Sequence, residues 1–76
     1  MSEKNLRFDY SLLQGKIRSS RITQAALAAK IGIASSTLSL ALNNRRDFSH
    51  KEIVQICREL GIANDEIPLY FFCEED

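Results

Sequence analysis

The stretch Thr23–Asn44, "TQAALAAKIGIASSTLSLALNN", reads as two short helices on either side of a glycine. Thr23 offers a hydroxyl that can cap the first of them, "QAALAAKI", whose Leu27, Ala28 and Ile31 share one face. Gly32 stops that helix, because glycine alone takes the left-handed conformation after a helix without a steric penalty. Ile33 follows as an apolar plug, expected to be buried in the turn.

In the second helix, Ala34, Leu38, Ala41 and Leu42 recur at i, i+4, i+7 and i+8, which predicts an inward stripe. Ser36, Ser39, Leu40 and Asn43 fall on the opposite side. Four hydroxyl residues, Ser35, Ser36, Thr37 and Ser39, are crowded into adjacent turns. Serine and threonine are mediocre helix formers, since their hydroxyls compete for backbone hydrogen bonds. Their alignment on one outward face marks a surface made for contact. "NNRRD" then closes the helix in a basic loop.

Outward from this pair, helical spacing continues in both directions. A first helix is expected from about Asp9 to Ser20, with Asp9 as its cap and Leu12, Leu13 and Ile17 inward. "FSHKEI" predicts another, with Ser49 and Glu52 forming a capping box and Phe48 and Ile53 a hydrophobic staple. Ile53, Ile56, Cys57 and Leu60 are its inward set and Gly61 its stop. The tail holds a short fifth helix opened by Asn64 or Asp65, with Pro68 in its first turn. Four apolar residues in a row, Leu69 to Phe72, cannot all face one core. No strand signal of weight and no repeat is visible. The expected fold is an all-α, compact five-helix bundle forming one domain over 1–76. Its helix-turn-helix lies at about 23–43, and segment 62–76 is a candidate dimer contact.

The formal net charge is zero, but the charge is segregated. Between Tyr10 and Arg46 stand six basic residues and no acid; from Asp47 onward there are eight acids against Lys51 and Arg58. An acid-free stretch of that length is a stronger bias than solubility needs, and it suits a polyanionic partner. One histidine and two cysteines match neither a zinc ligand set nor a disulfide framework. Cys57, on an apolar stripe, reads as a buried reduced thiol. No cluster of paired acids, base or ligands is visible, so neither an enzyme nor a cofactor or metal is expected. No apolar run approaches the ~20 residues of a membrane span, and the opening "MSEKNLRFDY" lacks a secretory h-region, so the expected compartment is the cytoplasm.

The stretch 23–44 resembles the helix-turn-helix of the phage Cro and repressor family, over roughly Leu6 to Phe72. Small phage-encoded repressor-like proteins with "FDYSLLQGKI" at the start and "IPLYFF" near the end are especially similar. The resemblance implies a lambda-repressor-like domain that binds operator DNA, usually as a dimer. Carried over residue by residue, it implies that Gln24 touches a phosphate and braces the recognition helix. Ser35 and Ser36 are the main base-contact positions, with Thr37 beside them, and Ser39 and Leu40 form the next turn. Asn43, Arg45 and Arg46 supply backbone contacts after the helix. Three features depart from the family pattern. Ala34 replaces a capping serine, which leaves Ser35 to cap instead. Asn44 replaces a glycine, which is tolerable because asparagine also visits the left-handed region. Serines cannot make the two-pronged contacts of Gln, Asn or Arg, so specificity leans towards DNA shape. Leu40 is offered either to a thymine methyl or simply to water. The rival reading is an antitoxin-like protein-interaction module on the same fold, which would have no reason to avoid carboxylates around these helices.

Overall fold

Two glycines punctuate the chain identically. Gly32 (φ 81°) and Gly61 (φ 71°) are both left-handed, and each is followed by an isoleucine whose N–H reaches back to a carbonyl five residues earlier. Ile33 donates to Ala28 at 3.0 Å and Ile62 to Cys57 at 2.9 Å, closing each helix end with otherwise orphaned carbonyls satisfied. In this computed structural model, which describes residues 7–75, the order is α1 (Ser11–Ser19), α2 (Gln24–Ile31), α3 (Ser35–Leu42), α4 (His50–Leu60), a 3₁₀ turn (Asn64–Glu66) and α5 (Ile67–Phe71). Leu6, where the resemblance begins, and Asp76, the last acid of the tail, lie outside the described residues.

The domain is all-α, with five α-helices around one core built from Leu13, Leu27, Leu38, Ile56 and Phe71, all essentially inaccessible to solvent. Burying a side chain of this size stabilises the fold by about 1.5–3 kcal/mol each, before conformational entropy is counted. An aromatic cluster ties the ends of the chain to α4. Phe48 meets both Tyr10 and Phe71 edge-on at 5.3 Å between ring centroids, an arrangement favoured by the ring quadrupoles. Thr23 caps α2 by accepting from the Ala26 N–H at 3.0 Å. At α4 the capping box is complete: Ser49 Oγ accepts from the Glu52 N–H at 3.1 Å, and Glu52 Oε1 accepts from the Ser49 N–H at 2.9 Å.

Five expectations shift. Tyr10, not Asp9, is the residue before α1, because the tyrosine ring is drawn into the core. Asp9 instead accepts from the Ser11 N–H at 2.9 Å and from the Ser11 hydroxyl, a short turn that sets up the helix. With Tyr10, Leu13 and Ile17 forming the inward line, Leu12 is rotated out and 56% exposed. Ala34 is exposed rather than inward: it is the extended residue before α3, where helical periodicity has not begun, and α3 starts with no side-chain cap from Ser35 or any other residue. Ile33 packs against the core but is only half-buried.

A β-type contact joins the chain's two ends. Phe8 and Glu74 form an antiparallel bridge, with Asp9 N–H donating to the Cys73 carbonyl at 2.6 Å and Glu75 N–H to the Arg7 carbonyl at 3.0 Å. On the opposite edge of this ribbon, the Asn44 carboxamide takes up the Phe8 backbone N–H and carbonyl. Asn44 is left-handed (φ 62°), as the loop requires. No single helix in the described chain is long and apolar enough to cross a membrane.

Candidate nucleic-acid interface

The turn Gly32–Ala34 swings the chain through 108° between α2 and α3. That crossing lies in the range at which a second helix projects from a domain while the first packs behind it. α3 buries Leu38, Ala41 and Leu42 against the core. Its other side is therefore fixed outward by the same helical period that fixes the buried one.

On that outward side Ser36 is exposed, Ser39 is half-buried and Leu40 stands 47% exposed; Ser35, in the first turn on the side of Leu38 and Leu42, is exposed as well, and Thr37 is half-buried at the flank. Asn43 folds back on the helix end, donating Nδ2–H to the Ser39 carbonyl at 2.8 Å. This satisfies a terminal carbonyl and presents the amide beside Ser39 Oγ, 3.4 Å away. Arg45 is exposed in the following loop, and its N–H is anchored on the Leu40 carbonyl at 2.8 Å. Ser39, Leu40, Asn43 and Arg45 line one cleft of about 360 Å³, and Arg7 completes its wall.

Gln24 opens α2 and is exposed. With Gln14, Arg18 and Thr23 it lines a second cleft, of about 330 Å³, against α1. No hydrogen bond among the described residues joins Gln24 to α3. Arg46 also departs from its expected setting. It forks onto Glu52, Nη1 to Oε1 at 3.0 Å and Nη2 to Oε2 at 3.3 Å, and Glu52 is buried. Burial pushes the Glu52 carboxyl up, but the Arg46 guanidinium and the Ser49 N–H and hydroxyl together outweigh it, and the net shift is downward. Arg46 is thus committed to holding the start of α4.

Lys30 lies 3.9 Å from Glu59, and Arg7 pairs with Glu75 at 3.0 Å. Lys16, Arg18, Arg21 and Arg45 form no ion pair with another described residue, which leaves cationic charge on the α1–α2 side and in the loop after α3. Of the described acids, Glu52 and Glu59 lie on α4, Asp65, Glu66, Glu74 and Glu75 follow it, Asp9 stands ahead of α1, and Asp47 lies in the loop after α3. Cys57 is a buried free thiol whose pKa burial raises, and Cys73 is exposed. No group of three or more His, Cys, Asp or Glu side chains among the described residues is placed to hold a metal.

Reading the charge pattern alone missed Arg7, because residues 1–9 carry equal numbers of both signs. Its place beside α3 depends on the pairing of the chain's ends, which has no local signature. It also missed that Asn44 does more than tolerate its conformation.

The geometry defines a small all-helical domain with one outward polar helix flanked by cationic side chains. Residues 6–74 match the family described as "Protein of unknown function (DUF739)", and the chain belongs to that family. Among solved structures it is similar to the solution structure of the modulator of repression (MOR) of the temperate bacteriophage TP901-1 from Lactococcus lactis. The two are 37% identical with a TM-score of 0.72, over 86% of this chain and 88% of that one. No curated protein matches it. The likeness of residues 23–44 to Cro and repressor proteins is one of pattern; the family that matches is DUF739.

Proposed function

We propose that this chain is a phage regulatory protein that binds duplex DNA by laying α3 in the major groove. The observation that carries the reading is the outward side of α3. It is polar, narrow and free of carboxylates, with Ser35, Ser36 and Ser39 able to donate and accept hydrogen bonds at phosphates or base edges. Leu40 supplies an apolar contact of the kind that reads a thymine methyl. Arg45 shares a cleft with Ser39 and Leu40, as a phosphate contact flanks a groove-docked element, and Arg18 and Gln24 share a second cleft at the start of α2. The likeness to a modulator of repression supports a regulatory role in a phage setting, in the cytoplasm of the host, with no catalytic step.

Pairing with a second copy is part of the proposal. Leu69 and Phe72, 57% and 51% exposed, leave apolar surface next to the joined chain ends. Two-fold symmetry would set the two α3 helices about 34 Å apart, one turn of DNA.

Titration of labelled duplexes, selected from a random pool, tests the reading. With Lys16, Arg18, Arg21 and Arg45 as the phosphate-facing cations, none of them ion-paired with a described residue, the log–log salt slope per protomer is expected at roughly −2 to −4, from about −0.9 per phosphate contact. No binding at low salt, or a slope near zero, overturns it. The second reading, a protein-interaction module, is favoured by the exposed Leu40, Leu69 and Phe72 and would then take its place.

A further inference from the structure

We infer that Arg7 and Arg45 form a backbone-phosphate subsite at the C-terminal end of α3, which the Glu75 carboxylate partly occupies in the free protein. The inference rests on the DNA reading above and adds a residue and an internal competitor to it.

The cleft at that end of α3 is lined by Arg7, Ser39, Leu40, Asn43 and Arg45, so two arginines and two neutral polar residues share its wall. Nothing about Arg7's position is left to a free tail. The next residue, Phe8, is gripped on one edge by the Asn44 carboxamide at 2.8 and 2.9 Å and bridged on the other to Glu74. The Arg7 carbonyl itself accepts the Glu75 N–H at 3.0 Å. The backbone at Arg7 is therefore tied to the loop that follows α3, and its side chain is delivered to the rim of the recognition surface.

There the guanidinium already holds an anion. Arg7 Nε donates to Glu75 Oε1 at 3.0 Å, with the two side chains 56% and 45% exposed. A carboxylate on an arginine fork occupies the place a phosphate oxygen would take, since both are recognised by the same donor geometry. The pair is open to solvent, so it is weak and exchangeable. A phosphodiester entering the cleft displaces the Glu75 carboxylate from Arg7 and gains Arg45 as a second cation. Glu75 thereby lowers affinity for every DNA sequence alike, and sets a threshold rather than a specificity.

The test uses the full chain on the selected duplex, at several salt concentrations, with thermal melts on every variant. Arg7→Gln is expected to bind several-fold more weakly at low salt and to lose about 0.9 from the salt slope. Arg7→Lys, which keeps the charge, is expected to retain that slope. Glu75→Gln is expected to bind roughly 2- to 5-fold tighter, the scale of one exposed ion pair. Glu75→Gln added to Arg7→Gln is expected to change nothing further. Glu74→Gln, which removes the same charge one residue away, is the control and is expected to have a much smaller effect. The subsite is overturned if the unsubstituted protein binds DNA and Arg7→Gln binds with the same affinity and slope. It is also overturned if Glu75→Gln tightens binding equally in the Arg7→Gln background, which would make Glu75 a general repulsion. Failure of the unsubstituted protein to bind at low salt overturns the DNA reading itself, and the subsite with it.

Discussion

The side-chain amide of Asn44 pairs with the main chain of Phe8 as a neighbouring strand would, donating Nδ2–H to its carbonyl at 2.8 Å and accepting its N–H at 2.9 Å. The two residues are 36 apart in sequence. Asn44 combines this with a left-handed backbone, a pairing of demands that suits asparagine, since aspartate tolerates the conformation but its carboxylate cannot donate to the Phe8 carbonyl. Asn44→Gly keeps the backbone conformation and loses both hydrogen bonds, so the expected loss of stability is about 1 kcal/mol. Asn44→Ala adds the left-handed penalty and is expected to cost about 2–3 kcal/mol. Thermal melts rank the two, and amide exchange at Phe8 should quicken in both. Equal stability of all three proteins would show that the amide contributes nothing.

Leu38 and Leu40 test which side of α3 is which. Leu38 is fully buried and Leu40 is 47% exposed. Leu38→Asn should cost upwards of about 3 kcal/mol by stranding an amide in the core. Leu40→Asn should melt within about 0.5 kcal/mol of the parent and lose about 1–3 kcal/mol of affinity for the selected duplex, with preference altered at one base pair. Unchanged binding to every duplex would make the outward stripe merely solvated.

Arg46 and Glu52 govern stability and its acid limb. Removing the guanidinium leaves a buried carboxylate without its cation, so Arg46→Ala should destabilise the fold by about 1–3 kcal/mol. Because the folded pKa of Glu52 lies below its ordinary value of 4.5, its contribution is present above that pH and is lost as pH falls through the lowered folded value. Glu52→Gln should therefore be less stable than the parent near neutrality and converge on it in acid. Parallel stability curves across that range would remove Glu52 from the account.

Phe72 tests the pairing of copies. It is 51% exposed, with its ring 6.1 Å from Phe8 and edge-on to it. Sedimentation of the parent should report a dimer and that of Phe72→Glu a monomer, with little change in the melt of the monomeric unit. A monomer in both cases rejects the contact.

Helix positions were largely legible because their signals are local. The Thr23 cap, the Ser49–Glu52 box, Gly32 and Gly61 all lie within one turn of the ends they define, and each forms as its residues predict. The 3.6-residue period placed Leu38, Ala41 and Leu42 inward and Leu40 outward for the same reason. Apart from Ala34 and the absent Ser35 cap, both at the very start of α3, what the pattern missed is non-local. Leu12 was turned out because Tyr10, packed on Phe48 from another part of the chain, took its place. The pattern offers Arg46 as a DNA-backbone contact and hides its ion pair, because its partner, buried Glu52, is legible only as a helix cap. Arg7 reached α3 through a backbone ribbon whose formation depends on no side-chain pattern.

That ribbon divides the proposed DNA-binding face by expected lifetime. The α2–α3 half is built from contacts a few residues apart, whereas the Arg7–Glu75 rim closes across 68 residues of chain. Such long closures form late in folding and open first in native fluctuations, since they carry the most loop entropy and the least buried area. A state in which the helices stand intact while the cleft beside Arg45 has lost one wall is therefore the expected first opening. Hydrogen exchange at Asp9 and Glu75, faster than anywhere along α3, would time that opening.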